Sequence, residues 1–188
     1  MPNLRRPKLL FLVLTLLLIA QSCAEMKSRI SQKSPVQHLA HAKHLMDAGE
    51  YQRAIDAYNV EYLKHQQDQT LVRDYVKSLE DIKSAADKAS DKEDFVSAGR
   101  NYNVLLKNYP HFKDFDKKLS FNSTHLNVKL SHCKKSLSKQ GFQEYRKGNL
   151  SAAILLWQGL LAIDPNNTNI KEALRTAKLQ QKNLQNRE

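Results

Sequence analysis

The chain has 188 residues, with five glycines, five prolines and a formal net charge of +11 at pH 7. This length suits a single domain with a buried core. Charged residues make up 26% of the sequence and no segment is low in complexity, which excludes extensive disorder away from the ends. Runs of β-branched residues and strict alternation of apolar and polar residues are absent, so the pattern predicts an all-α fold.

Residues 1–23 have the pattern of an export signal peptide rather than of a folded element. A basic start precedes an apolar run from Leu9 to Ala20, which is too short to span a membrane comfortably. The tetrapeptide that ends at Cys23 then resembles a bacterial lipobox, in which the cysteine is diacylated and becomes the new N-terminus. The competing interpretation is ordinary cleavage after Ala24, because the tripeptide that ends there is also a small-x-small cleavage site.

The lipobox resemblance implies a lipid anchor on Cys23. It also implies attachment to the outer membrane, facing the periplasm, because Ala24 rather than aspartate follows the cysteine. Without acylation the protein would be periplasmic or secreted. Residues 24–34 are polar and are predicted to form a tether between the anchor and the fold. In either case Cys133 is the one cysteine left for the fold, so no intramolecular disulfide is expected.

From Pro35 onward, apolar residues at three- and four-residue spacing predict helical hairpins. The predicted hairpins cover residues 35–68, 69–112 and 123–167. The first and third turn at Gly49 and Gly148, where a residue without a Cβ ends a helix at no steric cost. The second hairpin is expected to stop at Pro110, and the connector that follows has room for a short helical turn.

A final helix at residues 168–186 is predicted to cap the open end of the stack. Its predicted apolar side consists of Ile170, Ala173, Leu174, Ala177 and Leu179. Three asparagines precede predicted helices, and we interpret each of them as an N-cap whose side chain accepts from free backbone N–H groups. They are Asn122, Asn149 and one of the adjacent Asn166 and Asn167, since the last helix is predicted to start at Asn167 or Thr168.

The third hairpin resembles a tetratricopeptide repeat. Gly141 and Ala153 are the small residues that let its two helices approach closely, and Pro165 ends its second helix. The first and second hairpins are weaker copies of the pattern. The repeat-packing residues that carry the resemblance are Gly49, Tyr51, Ala54 and Tyr58, then Phe95, Ala98 and Tyr102, and finally Gly141, Tyr145, Gly148, Ala153, Trp157 and Pro165.

The resemblance implies a single domain over residues 35–188, built as an irregular α-solenoid of about three hairpins with a C-terminal capping helix. Tyr51, Phe95 and Leu150 are equivalent positions, and they are further apart than the ~34 residues of a tetratricopeptide unit. The extra residues continue the helical stripes instead of forming loops. We therefore predict that the first helices of the second and third hairpins are elongated.

Basic residues are concentrated in the C-terminal half of the chain. In tetratricopeptide stacks the first helix of each hairpin lines the concave side, and the resemblance therefore implies a partner-binding set in the third hairpin. That set is Lys135, Ser138, Lys139, Phe142 and Arg146. Such a surface would attract an acidic partner. The alternative is that these charges are solvated helix faces that serve solubility.

No catalytic motif is found in the sequence. His38, His41 and His44 are spaced by three, but they fan over too wide an arc of a helix for one metal ion to bind all three. Glycine-rich phosphate loops and nucleophile motifs are absent, and no nucleic-acid-binding module is recognisable. We therefore expect no enzyme activity, no cofactor, no metal and no nucleic-acid partner.

These observations leave two hypotheses about function. The first is a non-enzymatic interaction module, anchored in the bacterial cell envelope, that binds a peptide or a partner protein within an assembly or secretion system. The second is a binding protein, or an enzyme or enzyme accessory, for the cell wall or another acidic polymer, which would use the basic C-terminal helical face.

Overall fold

The computed structural model describes residues 35–186, with side chains from Leu39 onward. The predicted signal peptide, Cys23 and the tether at 24–34 lie outside the described residues. All regular structure in the described part is helical. The elements are α1 (Pro35–Asp47), α2 (Tyr51–Lys64), α3 (Gln69–Asp91), α4 (Phe95–Phe112), the 3-10 helix η1 (Lys113–Lys118), α5 (Ser123–Arg146), α6 (Leu150–Ile163) and α7 (Thr168–Gln185).

The predicted all-α fold, with three hairpins and a C-terminal capping helix, is confirmed. The hairpins are α1–α2, α3–α4 and α5–α6, and α7 packs against α6. The first helices of the second and third hairpins are elongated as predicted. Helices α3 and α5 contain 23 and 24 residues, whereas α2 and α6 contain 14 each. From His38 onward the chain forms one compact unit.

The three hairpins share one backbone turn. In each of them a residue with positive φ follows the first helix: Gly49 at 72°, Glu93 at 59° and Gly148 at 83°. The next N–H then donates to a carbonyl five residues back, which satisfies an otherwise free group at the helix end. These bonds run from Glu50 to Leu45, from Asp94 to Ala89 and from Asn149 to Glu144, each at 2.9 Å.

Replacing Glu93 by glycine should raise the free energy of unfolding. A left-handed conformation costs a residue with a Cβ roughly 1–2 kcal/mol, and the greater freedom of glycine in the unfolded chain offsets part of the gain. We expect a net gain of about 0.5–1 kcal/mol for Glu93→Gly, measured by urea unfolding. The reverse change, Gly148→Ala, should lower stability by a similar amount. A loss of stability in Glu93→Gly would contradict this explanation of the turn.

Two of the three predicted asparagine N-caps are confirmed. Asn122 Oδ1 accepts from the N–H of His125 at 2.9 Å, and Asn167 Oδ1 accepts from the N–H of Ile170 at 3.2 Å. The prediction for Asn149 is wrong, because its side chain makes no capping bond to α6. Its amide nitrogen instead donates to the Glu144 carboxylate at 2.7 Å, an interaction that only an amide, and not an aspartate cap, can make.

The expected stop at Pro110 is also wrong, because α4 continues to Phe112 and the chain then enters η1. A proline removes one helical hydrogen bond but does not by itself end the last turn. Phe112 and Phe115 are 0% and 2% exposed, so continuing the helical turn buries two aromatic rings. The short helical turn expected in the connector is present as η1.

The capping helix α7 buries a narrower stripe than predicted. Ile170 and Ala177 are buried, and Ala173 and Leu174 are partly buried against the core. Leu179 is 60% exposed, so its assignment to the packed side is wrong. Leu179 follows Ala177 by two residues, which is a rotation of about 200° around the helix axis. Its side chain therefore points away from the stack.

The core contains most of the predicted repeat-packing residues. The buried ones are Ala54, Tyr58, Phe95, Ala98, Tyr102, Gly141, Ala153 and Trp157. Tyr51 and Tyr145 are half-buried, while Gly49, Gly148 and Pro165 lie exposed at helix ends. An aromatic cluster joins α2 to α3 and η1: the rings of Tyr58 and Tyr75 stack at 5.2 Å, and Phe115 meets Tyr75 edge-on at 5.4 Å.

Neighbouring hairpins are displaced along their helix axes. Phe112 contacts Phe121 and Phe95 contacts His132, so antiparallel α4 accompanies only the first half of α5. Beyond Cys133, α5 continues for about 20 Å to its end at Arg146. This second half packs against α6 and projects past the turn of the second hairpin.

Candidate partner-binding face of α5

Helix α5 has a buried side and an exposed side along its whole length. The buried residues recur at three- and four-residue spacing and are Leu126, Leu130, Cys133, Leu137 and Gly141. At about 100° per residue, the opposite direction is occupied from Val128 onward by five exposed residues within an arc of about 60°. We call them the basic strip, and they are Val128, Lys135, Lys139, Phe142 and Arg146.

Four of the five predicted partner-binding residues belong to the basic strip. Ser138, the fifth, is half-buried at its edge. Sequence reasoning missed Val128, which is 65% exposed. Its spacing of two heptads before Phe142 is the signal that could have identified it, because such a spacing keeps two residues on one side of a helix.

Most of the basic strip lies beyond the end of α3. The ion pair between α3 and α5 joins Asp87 to Lys129, with 3.9 Å between Oδ1 and Nζ. Helix α3 ends only one turn later, at Asp91, whereas α5 runs on in the same direction to Arg146. The family resemblance implied that these residues line the concave side of the stack, and this stays a prediction. Lys139, Phe142 and Arg146 lie on the half of α5 that projects beyond α3.

Phe142 is held in place although its side chain is 41% exposed. Its ring meets the Trp157 ring edge-on, with 5.0 Å between centroids and 66° between planes. Trp157, on α6, is 1% exposed. Tyr145, which lies on α5 like Phe142, also covers it, with 5.7 Å between the ring centroids. The remaining surface of Phe142 therefore faces solvent from a fixed support, and little side-chain freedom would be lost on binding.

The positive charges of the basic strip are uncompensated in the described part of the chain. Lys135, Lys139 and Arg146 make no ion pair there, while Lys134, one residue off the strip, binds Asp164 at 3.3 Å. The one acidic residue of α5 is Glu144. It is occupied by Lys147 at 2.7 Å and by Asn149, and these hydrogen bonds hold its pKa below the usual value.

Several charges on the first helices of the first two hairpins are paired by contrast. Lys43 of α1 binds Asp74 of α3 at 2.9 Å, and Lys83 binds Asp87 at 2.7 Å. Asp87 also accepts a hydrogen bond from the Tyr102 hydroxyl. Burial works against the charged form of Asp87, but the bonds from Lys83 and Tyr102 outweigh it and lower its pKa. The first helices of these hairpins therefore present a largely neutralised surface.

The side chains considered for chemistry are Cys133 and the histidines of α1. Cys133 is fully buried, and this burial raises its pKa to about 11, so its thiol stays protonated at neutral pH. His41 and His44 are exposed, and the side chain of His38 lies outside the described part. Among described residues, no group of three His, Cys, Asp or Glu side chains is arranged to hold a metal ion.

Comparisons with known proteins give no relative for this chain. No protein-family model, curated protein or solved structure matches it. The tetratricopeptide and lipobox resemblances therefore stay predictions from the residues that carry them. Within residues 35–186, no helix is both long and apolar enough to cross a membrane.

Proposed function

We propose that this chain is a non-enzymatic protein–protein interaction module of the tetratricopeptide type, anchored in the bacterial cell envelope. It would serve as a subunit or accessory factor of an envelope assembly or secretion system. The observation that carries the proposal is the stack of three hairpins with one shared turn, whose last hairpin projects an uncompensated basic strip. A rigid scaffold with an exposed, unpaired face suits binding.

Crosslinking in intact cells tests this function. A tagged full-length chain, crosslinked in the producing bacterium and purified under denaturing conditions, should bring down one or a few proteins in near-stoichiometric amounts. Recovery of the chain on purified peptidoglycan, with no stoichiometric protein, would contradict the proposal. That result would support the second candidate, a cell-wall or acidic-polymer binder, which the unpaired Lys135, Lys139 and Arg146 also favour.

The envelope anchor is tested separately through Cys23. Growth with an alkyne fatty acid should label the wild-type protein, and the variant Cys23→Ala should carry no label, because the thiol is the acylated group. An unlabelled wild-type protein, or a label that survives in Cys23→Ala, would exclude the lipid anchor. Cleavage after Ala24 and a periplasmic or secreted protein would then be the explanation.

A further inference from the structure

We infer that the basic strip binds an acidic amphipathic helix of a partner protein, laid along α5. This inference rests on the proposed interaction function and specifies the chemistry of its partner. Val128, Lys135 and Phe142 follow one another at seven-residue spacing, so they form a line along the helix axis. The two apolar ends of the line are about 21 Å apart.

A second helix can approach this line closely. Ser138 is half-buried beside it, and Ser131 holds the corresponding position one heptad earlier. When small side chains repeat every seven residues beside a line of larger ones, they leave holes on the helix surface. Side chains of a facing helix can insert into these holes. A helix with apolar residues two heptads apart would cover Val128 and Phe142 together.

The positive charge of the basic strip determines which polar residues the partner helix should carry. Three unpaired cations, Lys135, Lys139 and Arg146, lie between and beside the two apolar residues. Acidic residues at the flanking positions of the partner would each find a basic group of α5. The chain's own segment at 24–34 does not fit, because it carries three basic residues and one acidic residue.

Binding of a designed peptide to the full-length protein tests this inference. The probe is a fluorescent helix of about 21 residues, with leucines at heptad spacing and glutamates beside them, followed by anisotropy. A shuffled peptide of the same composition, polyglutamate and phosphatidylglycerol vesicles are the comparison ligands. We expect the amphipathic helix to bind at least about tenfold more tightly than the shuffled peptide, since only the former aligns its apolar residues with Val128 and Phe142.

Two matched pairs of variants locate the site. Lys135→Glu with Lys139→Glu should weaken peptide binding about tenfold or more, whereas the same charge change at Lys113 and Lys118, on exposed η1, should leave it within about twofold. Phe142→Ala should weaken binding more than Leu155→Ala, which truncates an exposed leucine of α6. Equal effects within either pair would overturn the inference, as would equal binding of the shuffled peptide, polyglutamate or vesicles.

These outcomes separate the inference from the proposed function. If crosslinking recovers a protein partner whose binding is unchanged by Lys135→Glu and Lys139→Glu, the interaction function stands and the helix-binding strip is wrong. If only peptidoglycan is recovered, the proposed function fails, whatever the peptide does.

Discussion

Truncation of Trp157 to alanine should lower the free energy of unfolding by roughly 3–5 kcal/mol, the largest effect that we expect from a single substitution. Trp157 is 1% exposed and lies between the two helices of the third hairpin. Its ring contacts Phe142 and Tyr145, and it covers the backbone of Gly141. Truncation to alanine leaves a cavity lined by Phe142, Tyr145 and the backbone of Gly141. These groups could fill it only if α5 moved relative to α6.

The same contact makes Gly141 intolerant of a side chain. A Cβ at this position would lie 2.3 Å from Trp157 Nε1, and the fused ring cannot turn aside as a flexible side chain would. Gly141→Ala should therefore cost about 1–3 kcal/mol, although alanine is the better helix former by about 1 kcal/mol. In a Trp157→Ala background the Cβ enters vacated space, and Gly141→Ala should become neutral or stabilising.

Urea unfolding of the wild type, both single variants and the double variant measures this coupling. We expect the two effects to deviate from additivity by more than about 1 kcal/mol, as contacting residues do. Ser138→Ala, at a half-buried position of the same helix, is the control and should change stability by less than about 0.5 kcal/mol. Additive losses in the double variant would show that Gly141 and Trp157 are independent.

The hairpins could be predicted because their signals are local. Apolar residues repeat from Leu71 to Ala86 along α3 and from Leu126 to Gly141 along α5, and Gly49 and Gly148 mark two of the turns. The second turn lacks this signal, because Glu93 adopts a positive φ that its residue type does not favour. Neighbouring hydrogen bonds of the shared turn, rather than the residue itself, hold that conformation.

The errors arose where tertiary contacts outweigh local preference. Pro110 was expected to end α4, but the burial of Phe112 and Phe115 favours one further turn. Asn149 was expected to cap α6, but the Glu144 carboxylate offers its amide a better partner. Neither competitor is recognisable before the fold brings the groups together.

The composition of the basic strip was predictable, but its place on the fold was not. Residues opposite an apolar stripe are exposed in any arrangement, which accounts for Lys135, Lys139 and Arg146. Their position depends on how far the third hairpin is displaced along the second. Close contacts between α4 and α6 set that displacement: Val96 lies against Gly159, and Ile163 lies against Gly99. A spacing pattern in one helix carries no information about such an axial shift.

Alkaline pH should unfold this protein readily, because tyrosines are buried in its core. Burial raises the pKa of Tyr75, whose hydroxyl has no hydrogen-bond partner in the described part of the chain. Burial also raises the pKa of Tyr102, and the hydrogen bond that its hydroxyl donates to Asp87 raises it further. In both cases the folded protein keeps a proton that the unfolded chain releases near pH 10.

The sign of the effect follows from this difference. A raised pKa in the folded state leaves stability unaffected below about pH 10, and stability then falls as the pH rises toward the folded pKa. Each such tyrosine should lower the free energy of unfolding by up to about 1.4 kcal/mol per pH unit in that window. Urea unfolding at a series of pH values from 8 to about 11.5 should therefore give a plateau followed by a steep decline.

Tyr75→Phe separates this mechanism from general alkaline damage. The variant removes a buried hydroxyl without a partner, so at pH 8 it should be as stable as the wild type or about 1 kcal/mol more stable. Above about pH 10 its stability should decline less steeply, by up to about 1.4 kcal/mol per pH unit, because one buried proton no longer has to be released. Tyr51→Phe, at a half-buried tyrosine of α2, is the matched control for the loss of a tyrosine hydroxyl. An unchanged slope in Tyr75→Phe would show that this residue ionises without unfolding, which its complete burial between Tyr58 and Phe115 makes unfavourable.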